Sequence, residues 1–384
     1  MNASKLQMSA FLASAIGMWG SLYLYVPAFA VFAEEQGASL AMVGLIWSAY
    51  GVVQGILRVP TGYFSDRFGR RLPFLVIGVG MTALGSLLMA LSPHPAVLML
   101  GRGLHGFGAA AFVVQSVYFA SFFPPEKVTR ALLGISSLIA LTQLAVSLLG
   151  GQMALHWGQS STFWGSAALG AISVAAIMVA GEQHVARRIE FDWSRFRTVL
   201  ADPVLLLVSA TAALLVFGEF GITQTTMLLL ADRLGADSAY LGLLTAINYL
   251  AIGSAGLLLA TLGSYPERWV VIAGLVISGV ALLLMPLAGG LAGLTVLAFV
   301  KGAMRGSMMP SLMGLGLKVV APDARASAMG LFQAIYAIGM FAGPVSTGII
   351  SQVAGLEAPF YAIGAFTTLA AGLVFVLFRR WQAG

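Results

Sequence analysis

The chain is a succession of long apolar runs that are separated by short polar breaks. About 20 consecutive apolar residues are enough for a helix to cross the hydrocarbon core of a bilayer. Of the 384 residues, 59% are hydrophobic and 9% are charged, whereas about 25% of the residues in a soluble domain are charged. The pattern predicts an all-α integral membrane protein. It leaves no room for a soluble catalytic domain, so we do not expect an enzyme.

Twelve apolar runs predict twelve membrane-spanning helices in two groups of six. The first group lies near residues 8–33, 40–62, 72–92, 96–122, 131–155 and 162–181, and the second near 203–231, 239–262, 269–288, 291–318, 328–353 and 358–378. The polar residues between the groups surround three aromatic residues, which is typical of an amphipathic linker at a membrane surface. We predict two pseudo-symmetric six-helix bundles, residues 1–181 and 203–384, joined by a cytoplasmic linker of residues 182–202.

The distribution of Lys and Arg over the loops predicts that both termini are cytoplasmic, because short loops rich in these residues stay on that side. The loops assigned to the outside hold only Arg233. Those assigned to the inside, with the termini, hold Lys5, Arg67, Arg70, Arg71, Lys127, Arg130, Arg187, Arg188, Arg195, Arg197, Arg268, Arg325, Arg379 and Arg380. The formal charge of +6 is therefore distributed by topology, and we expect no nucleic acid partner.

The sequence contains no pattern for a bound metal or cofactor. There is no cysteine, which excludes disulfides and thiolate metal sites. Spacing reveals no cluster of zinc ligands, no Walker loop and no Ser/His/Asp set. We therefore expect no metal and no cofactor, and we expect an ion gradient or the gradient of the substrate itself to supply the energy.

The most charged short segment between two apolar runs is the loop of residues 62–71. Its single acid, Asp66, can form charge-assisted hydrogen bonds with the arginines around it, and such bonds can make and break as helices move. The spacing Gly-x-x-x-Asp-Arg-x-Gly-Arg-Arg resembles motif A of the major facilitator superfamily. The resemblance implies a cytoplasmic gating latch in which the carboxylate binds helix termini of the other half. The latch residues would be Gly62, Asp66, Arg67, Gly69, Arg70 and Arg71.

A second motif lies in the fourth predicted span, where residues 102–110 resemble motif B of the same superfamily. The arginine of that motif is implicated in proton coupling, which the resemblance implies for Arg102. The alternative is that Arg102 is a multi-donor clamp that holds helices together. His105, three residues later, can titrate near neutral pH, and a histidine that only packs in the core is an equally good interpretation.

Ionisable residues inside a span cost about 2.5–3.5 kcal/mol on insertion scales, so each is a functional candidate. Glu219 is the only carboxylate predicted deep within a span, and we interpret it as the proton carrier. The alternative is that Glu219 only neutralises Lys301 or Arg305, which lie four residues apart on one face of their helix.

Polar residues in several spans predict a substrate cavity. Tyr50 and Gln54 share a polar stripe on the second span. For the uncharged candidates, hydrogen bonding between helices is at least as good an interpretation. The candidates for substrate contact are Tyr50, Gln54, Asn248, Lys301, Arg305 and Tyr336.

The antiporter signature of the superfamily, motif C, is degraded in this chain. The fifth predicted span keeps the paired glycines Gly150 and Gly151 but lacks the Gly-Pro step, and a similar spacing is found around Pro344 in the eleventh. Because motif C is associated with exporters that exchange protons for drugs, its loss leaves the direction of transport open.

The chain resembles this superfamily over its whole length, and its pattern is most similar to that of the bacterial drug:proton antiporter branch. The resemblance implies a proton-coupled secondary transporter in the cytoplasmic (inner) membrane of a prokaryote, a monomer whose partners are a small-molecule substrate, protons and membrane lipid. Efflux of amphipathic compounds is the first hypothesis, and an organic-anion or metabolite carrier is the second. A non-transporting receptor or scaffold remains an alternative, against which the charges within the spans argue.

Overall fold

The computed structural model describes residues 3–124, 127–182, 200–262, 265–321 and 324–383, and within these ranges the chain forms helices and no strand. The helices of the first half are α1 (Ala3–Tyr23), α2 (Val26–Glu35), α3 (Leu40–Phe68), α4 (Leu72–Leu91), α5 (Pro95–Ala110), α6 (Phe112–Ala120), α7 (Val128–Trp157) and α8 (Gln159–Ala180).

The helices of the second half are α9 (Pro203–Gly218), α10 (Met227–Arg233), α11 (Ser238–Thr261), α12 (Glu267–Leu284), α13 (Leu291–Lys318), α14 (Arg325–Ala354) and α15 (Ala358–Ala383). A π-helix, Glu219–Thr226, joins α9 to α10, and a 3-10 turn, Met285–Leu287, follows α12. The start of α9 follows from its sequence. Asp202 Oδ1 accepts hydrogen bonds from the backbone N–H groups of Val204 and Leu205, and Pro203 needs no acceptor at the first helical position.

Eleven helical segments of the described residues are long and apolar enough to cross a membrane. The remaining long helix, α13, has 28 residues but carries Lys301, Arg305 and Lys318, which lower its apolar content. The predicted all-α membrane architecture is therefore confirmed. The eleven segments are Lys5–Glu35, Leu40–Phe68, Leu72–Leu91, Pro95–Ala120, Gly134–Trp157, Gln159–Ala180, Pro203–Arg233, Ser238–Thr261, Glu267–Leu287, Ala328–Ala354 and Ala358–Arg379.

Two of the spans are interrupted where the sequence predicts continuous helices. The first breaks between α1 and α2 at residues 24–25. Pro27 has no N–H to donate to the carbonyl of Tyr23, so the α-helical hydrogen-bond ladder cannot continue through this point. The fourth breaks at Ala111 between α5 and α6, where the backbone N–H of Ala111 bonds the carbonyl of Gly108 at 3.0 Å in a tighter turn.

The chain divides into two compact units. The first consists of Met1–Ala38, Ala49–Glu190 and Asp237–Ala246, and the second of Ser39–Ser48, Phe191–Ala236 and Ile247–Gly384. In the first unit α1 packs on α8, and α4 packs on α5 and α8. In the second unit α9 and the π-helix pack on α14, and α12 packs on α13 and α15. The predicted bundle boundaries stay a prediction, because residues 183–199 of the predicted linker lie outside the described residues.

Candidate functional sites of the two units

Glu219 is the first residue of the π-helix and its side chain is completely buried. Asn248 Nδ2 of α11 donates a hydrogen bond to Glu219 Oε1 at 3.2 Å. Lys301 Nζ of α13 donates one to Oε2 at 3.1 Å. The carboxylate thus receives a charge-assisted bond on one oxygen and an amide bond on the other. The second unit therefore contains a buried ion pair at the depth of its spans.

A second cation lies beside this pair. Arg305, one helical turn after Lys301, has its Nε 3.8 Å from Glu219 Oε2. The side chain of Lys301 is 4% exposed and that of Arg305 is 24% exposed. One carboxylate therefore faces two cations, and Arg305 carries the surplus positive charge. We call Glu219, Asn248, Lys301 and Arg305 the acidic centre.

The backbone of the second unit brings the acidic centre together through small residues. A Cβ at Gly302, next to Lys301, would lie 2.7 Å from the carbonyl oxygen of Asn248, so only glycine lets α13 approach α11 this closely. On the other side, Thr347 Oγ1 of α14 donates a hydrogen bond to the carbonyl of Gly221 at 3.0 Å. That bond satisfies a carbonyl within the π-helix, a rare conformation that is frequent at functional sites.

The hydroxyl groups of the π-helix also stabilise its wide turns. Thr225 Oγ1 donates to the carbonyl of Phe220 at 2.8 Å, and Thr226 Oγ1 donates to that of Gly221 at 2.9 Å. Both bonds run to the residue five positions earlier, which is the spacing of a π-helix. The threonines that follow Glu219 therefore support the unusual backbone on which the carboxylate is placed.

The first unit contains a different buried network around Arg102. Arg102 Nη1 of α5 donates a hydrogen bond to the hydroxyl of Tyr25 at 2.7 Å. The guanidinium carbon lies 4.8 Å from the ring centroid of Tyr50 and 5.9 Å from that of Phe29, within the range of a cation–π interaction. The charge of Arg102 is thus stabilised by aromatic rings and by the hydroxyl of Tyr25.

His105 is the next member of this network and is completely buried. Its Nε2 lies 3.0 Å from the carbonyl oxygen of Thr82 and 3.0 Å from Ser86 Oγ. A carbonyl can only accept, so Nε2 carries a proton. In the neutral ring Nδ1 then accepts the hydroxyl proton of Tyr25, whose oxygen is 2.8 Å away. We call Arg102, Tyr25, His105 and Ser86 the tyrosine relay.

Close helix contacts position the relay. A Cβ at Gly85 of α4 would lie 2.7 Å from His105 Cδ2, and a Cβ at Gly106 of α5 would lie 3.0 Å from the Cα of Tyr50. These glycines let α4 and α3 approach α5 until His105 reaches Ser86 and the ring of Tyr50 reaches Arg102. Tyr25 lies in the break before Pro27, and from this position its hydroxyl reaches Arg102 and His105.

The predicted latch residues lie in the last turns of α3, which hold Gly62, Asp66 and Arg67, and in the short turn of residues 69–71 before α4. We call residues 62–71 the Asp66 turn. Asp66 pairs with Arg71, whose side chain is 5% exposed, and Arg71 Nη1 donates to Ser65 Oγ at 2.8 Å. Arg67 Nη1 donates to the hydroxyl of Tyr63 at 3.1 Å. Gly69 has φ +64°, a backbone conformation that favours glycine. The side chain of Arg70 is exposed. The structure thus brings Asp66 to one of its three arginines.

Glu182 is a residue of this region whose role the sequence did not indicate. Its Oε1 accepts the backbone N–H of Arg71 at 2.7 Å, and its Oε1 and Oε2 each accept that of Leu72 at 3.2 Å. These N–H groups begin α4, where a carboxylate is favoured by the helix dipole. Glu182 therefore ties the end of the first half to the Asp66 turn.

The remaining candidates for substrate contact lie outside these clusters. Gln54 follows Tyr50 by one turn of α3 and is buried, and its Oε1 has no hydrogen-bond partner among the described residues. Tyr336 of α14 is buried with its ring 5.8 Å from that of Phe332. The structure therefore unites Glu219, Lys301, Arg305 and Asn248 in one centre, and Arg102, His105 and Tyr50 in another. It adds Tyr25, whose position in a helix break is signalled in the sequence by Pro27, and Ser86, for which the sequence gives no signal.

Known proteins with similar sequences are membrane transporters. The chain is 30% identical over 190 residues to the inner membrane transport protein YajR of Escherichia coli, a match that covers 48% of this chain and 41% of YajR. It is 26% identical over 362 residues to a chloramphenicol efflux pump of Mycobacterium tuberculosis, covering 86% of this chain and 82% of the pump. The chain thus spans less than half the length of YajR.

The fold and the family model agree with these relatives. The crystal structure of an auto-inhibited POT family peptide transporter superimposes with a TM-score of 0.81 at 14% identity, covering 97% of both chains, which shows a common fold. The model of the Major Facilitator Superfamily matches residues 10–231 and again residues 210–382. The two matches cover nearly the whole sequence in two repeats. The chain is therefore a multi-pass integral membrane protein that belongs to the Major Facilitator Superfamily.

Proposed function

We propose that the protein is a proton-coupled secondary active transporter that moves small organic molecules by alternating access, with Glu219 as the proton carrier. The observation that carries this proposal is the buried carboxylate of Glu219 on a π-helix, held by Lys301 and Asn248. A buried charge with specific partners is a functional-site candidate. In a protein whose family moves solutes, a titratable group at this depth can exchange protons with either side as access alternates.

The acidic centre can convert protonation into movement. A proton on Glu219 removes the negative charge that Lys301 and Arg305 share. The two cations are then left to repel each other in a medium of low dielectric constant. Lys301 must find another anion or water, which separates α13 from the π-helix. Loss of the proton restores the pair, so the protonation state of Glu219 biases two arrangements of these helices.

In this proposal the tyrosine relay has a positioning role. Tyr25 and His105 hold the guanidinium of Arg102 against the ring of Tyr50. Arg102 then presents a fixed positive charge to the transport path, and it influences proton movement by that charge without carrying a proton itself. Tyr50 and Gln54, one turn apart on α3, are proposed to contact the substrate.

The Asp66 turn is proposed to act as the cytoplasmic latch. Its pairing with Arg71 and the hydrogen bonds of Glu182 to the start of α4 make it a compact, charged unit that can be broken and remade. The proposal includes cytoplasmic termini, a prokaryotic inner membrane and a monomer. The absence of native cysteine makes the orientation testable by labelling single introduced cysteines from each side.

For the substrate, we propose export of amphipathic compounds. The similarity to a chloramphenicol efflux pump supports this. So do three methionines of α13 that lie near Lys301 and Arg305 in the sequence, Met304, Met308 and Met309, since Met suits sites that accept varied apolar shapes.

A second candidate, transport of organic anions, is favoured by one observation. Among the described residues, the sole polar contact of Arg305 is with Glu219 at 3.8 Å. Its side chain is also partly exposed. The planar guanidinium group of Arg305 can therefore form two parallel hydrogen bonds with a carboxylate or a phosphate. Competition by anionic compounds that is lost in Arg305→Gln and kept in Arg325→Gln would favour this candidate over amphipathic export.

Flux into proteoliposomes under an imposed pH gradient tests the proposal. Anionic, neutral and cationic compounds are compared for wild type, Glu219→Gln and a matched control, Glu357→Gln, whose side chain is exposed. We expect the gradient to drive flux in wild type and in the Glu357 variant, and to have no effect in the Glu219 variant. Gradient-driven flux at the wild-type rate in Glu219→Gln would remove the assignment of the carrier.

A further inference from the structure

A pocket of the second unit lies outside the acidic centre, between the first turns of α12 and the last turns of α15. It has a cavity volume of about 290 Å³. Its lining is mainly apolar, with an arginine from each helix. The lining residues are Arg268, Trp269, Ile272, Phe375, Phe378 and Arg379.

Both arginines are held by aromatic rings. The guanidinium carbon of Arg268 lies 5.9 Å from the centroid of Trp269, and that of Arg379 lies 5.7 Å from that of Phe375. The two rings are themselves 5.9 Å apart. Neither arginine forms a hydrogen bond or an ion pair with another described residue. Two sets of charged donors thus line an otherwise apolar cavity.

The combination defines the chemistry of a ligand. Two guanidinium groups match the oxygen atoms of a phosphate, while the isoleucine and the rings match a hydrocarbon chain. Inorganic phosphate has no apolar part and would leave most of the lining without contacts. The arginines lie at the ends of two spans, which is the depth of the lipid headgroups, and by the predicted orientation they lie on the cytoplasmic side. Basic pockets between spans on that side suit anionic headgroups.

We propose that this pocket binds one anionic phospholipid, with its phosphate on Arg268 and Arg379 and an acyl chain along Trp269 and Phe375. Such a lipid would bridge α12 and α15 and stabilise their contact. The site is independent of Glu219 and of the transported compound, and its occupancy is a property of the membrane in which the protein lies.

Native mass spectrometry of the full chain in detergent tests the proposal, with dioleoyl phosphatidylglycerol, dioleoyl phosphatidylcholine and inorganic phosphate as probes. We expect phosphatidylglycerol to bind wild type about twenty-five-fold more tightly than the double variant Arg268→Gln/Arg379→Gln, from about fivefold for each arginine. Arg325→Gln removes an exposed arginine outside this pocket, and we expect it to bind as wild type does.

Three results would overturn the proposal: equal phosphatidylglycerol affinity in wild type and the double variant, equal affinity for phosphatidylcholine, or displacement of the lipid by millimolar inorganic phosphate. If the double variant does not fold, each single variant is measured, and about fivefold weaker binding is expected. Wild-type affinity in both single variants would also contradict the site.

Discussion

The two units bury a basic side chain in different ways. In the second unit Lys301 is neutralised by Glu219 on a π-helix, with Arg305 beside them. In the first unit Arg102 lies on aromatic rings and donates to Tyr25, whose hydroxyl bonds His105. The acidic centre balances charge with charge, whereas the tyrosine relay accommodates charge with polarisable rings and neutral acceptors.

This difference assigns different tasks to the units. A single proton on Glu219 changes the balance between one carboxylate and two cations, and it removes the acceptor of the strongest bond in the centre. The relay has its hydroxyl and ring nitrogens engaged with each other and with the carbonyl of Thr82, so it is suited to hold Arg102 still. We therefore expect substitutions in the centre to change coupling, and substitutions in the relay to change stability and affinity.

The largest effect is expected for Glu219→Gln, because it leaves the buried Lys301 without its counter-charge. Breaking a buried pair costs about 3–5 kcal/mol. The free energy of unfolding, measured by denaturant titration in detergent, should fall by that amount, while Glu357→Gln should change it by less than about 0.5 kcal/mol. The double variant Glu219→Gln/Lys301→Met should recover about 2 kcal/mol of the loss. Additive losses would show that the two residues do not form a pair.

A smaller effect is expected for Tyr25→Phe in the relay. The substitution removes one hydroxyl from between Arg102 and His105, and a hydrogen bond to a charged group contributes about 1.5–3 kcal/mol. Unfolding measurements should show this loss, with Tyr361→Phe, at a position that is 38% exposed, as the neutral control. The response of flux to a pH gradient should persist. Its disappearance in Tyr25→Phe would place the proton path in the first unit and reverse the assignment of tasks.

Arg305→Gln should destabilise the protein by less than about 1 kcal/mol, because the side chain is 24% exposed and its Nε lies 3.8 Å from the carboxylate, a geometry close to that of weak surface pairs. Its effect should appear in recognition. If organic anions are substrates, their apparent affinity should fall about tenfold, the typical loss when one charge-assisted contact is removed. An unchanged affinity would leave amphipathic export as the supported candidate.

The smallest effect on stability is expected for Asp66→Asn, which lies outside both clusters. Its side chain is 28% exposed, so the pair with Arg71 should contribute about 1 kcal/mol or less, and less at high salt. Thermal unfolding at low and high ionic strength measures this difference. A loss as large as that of Glu219→Gln would mean that the turn, and not the acidic centre, holds the dominant ionic interaction.

Most of the architecture follows from the sequence because a bilayer demands long apolar helices. The same demand makes charges within the spans conspicuous, which is why Glu219, Lys301, Arg305 and Arg102 can be selected from the sequence. The i, i+4 spacing of Lys301 and Arg305 also predicts that both reach one partner. The contact of Asn248 with Glu219 depends on packing between α11 and the π-helix, which no local pattern reveals.

Other features could not be predicted from the sequence, and the structure gives the reason for each. Tyr25 resembles every other aromatic residue of the first span, and only its place before Pro27 in the folded chain brings it to Arg102. The π-helix after Gly218 depends on hydrogen bonds from the hydroxyls of Thr225 and Thr226 to backbone carbonyls five residues earlier. It also depends on the hydrogen bond from Thr347 of a distant helix. Glu182 lies far in sequence from the turn that it caps. The contacts of Tyr25, Thr347 and Glu182 each join segments that are well separated along the chain.

The most direct test of the account measures substrate flux and proton flux together in proteoliposomes that contain wild type or Glu219→Gln. The account predicts that wild-type substrate flux follows an imposed pH gradient and moves protons with it. Glu219→Gln should still exchange substrate between the two sides, with neither a response to the gradient nor proton movement. Proton-linked flux at the wild-type level in the Glu219 variant would contradict the central claim.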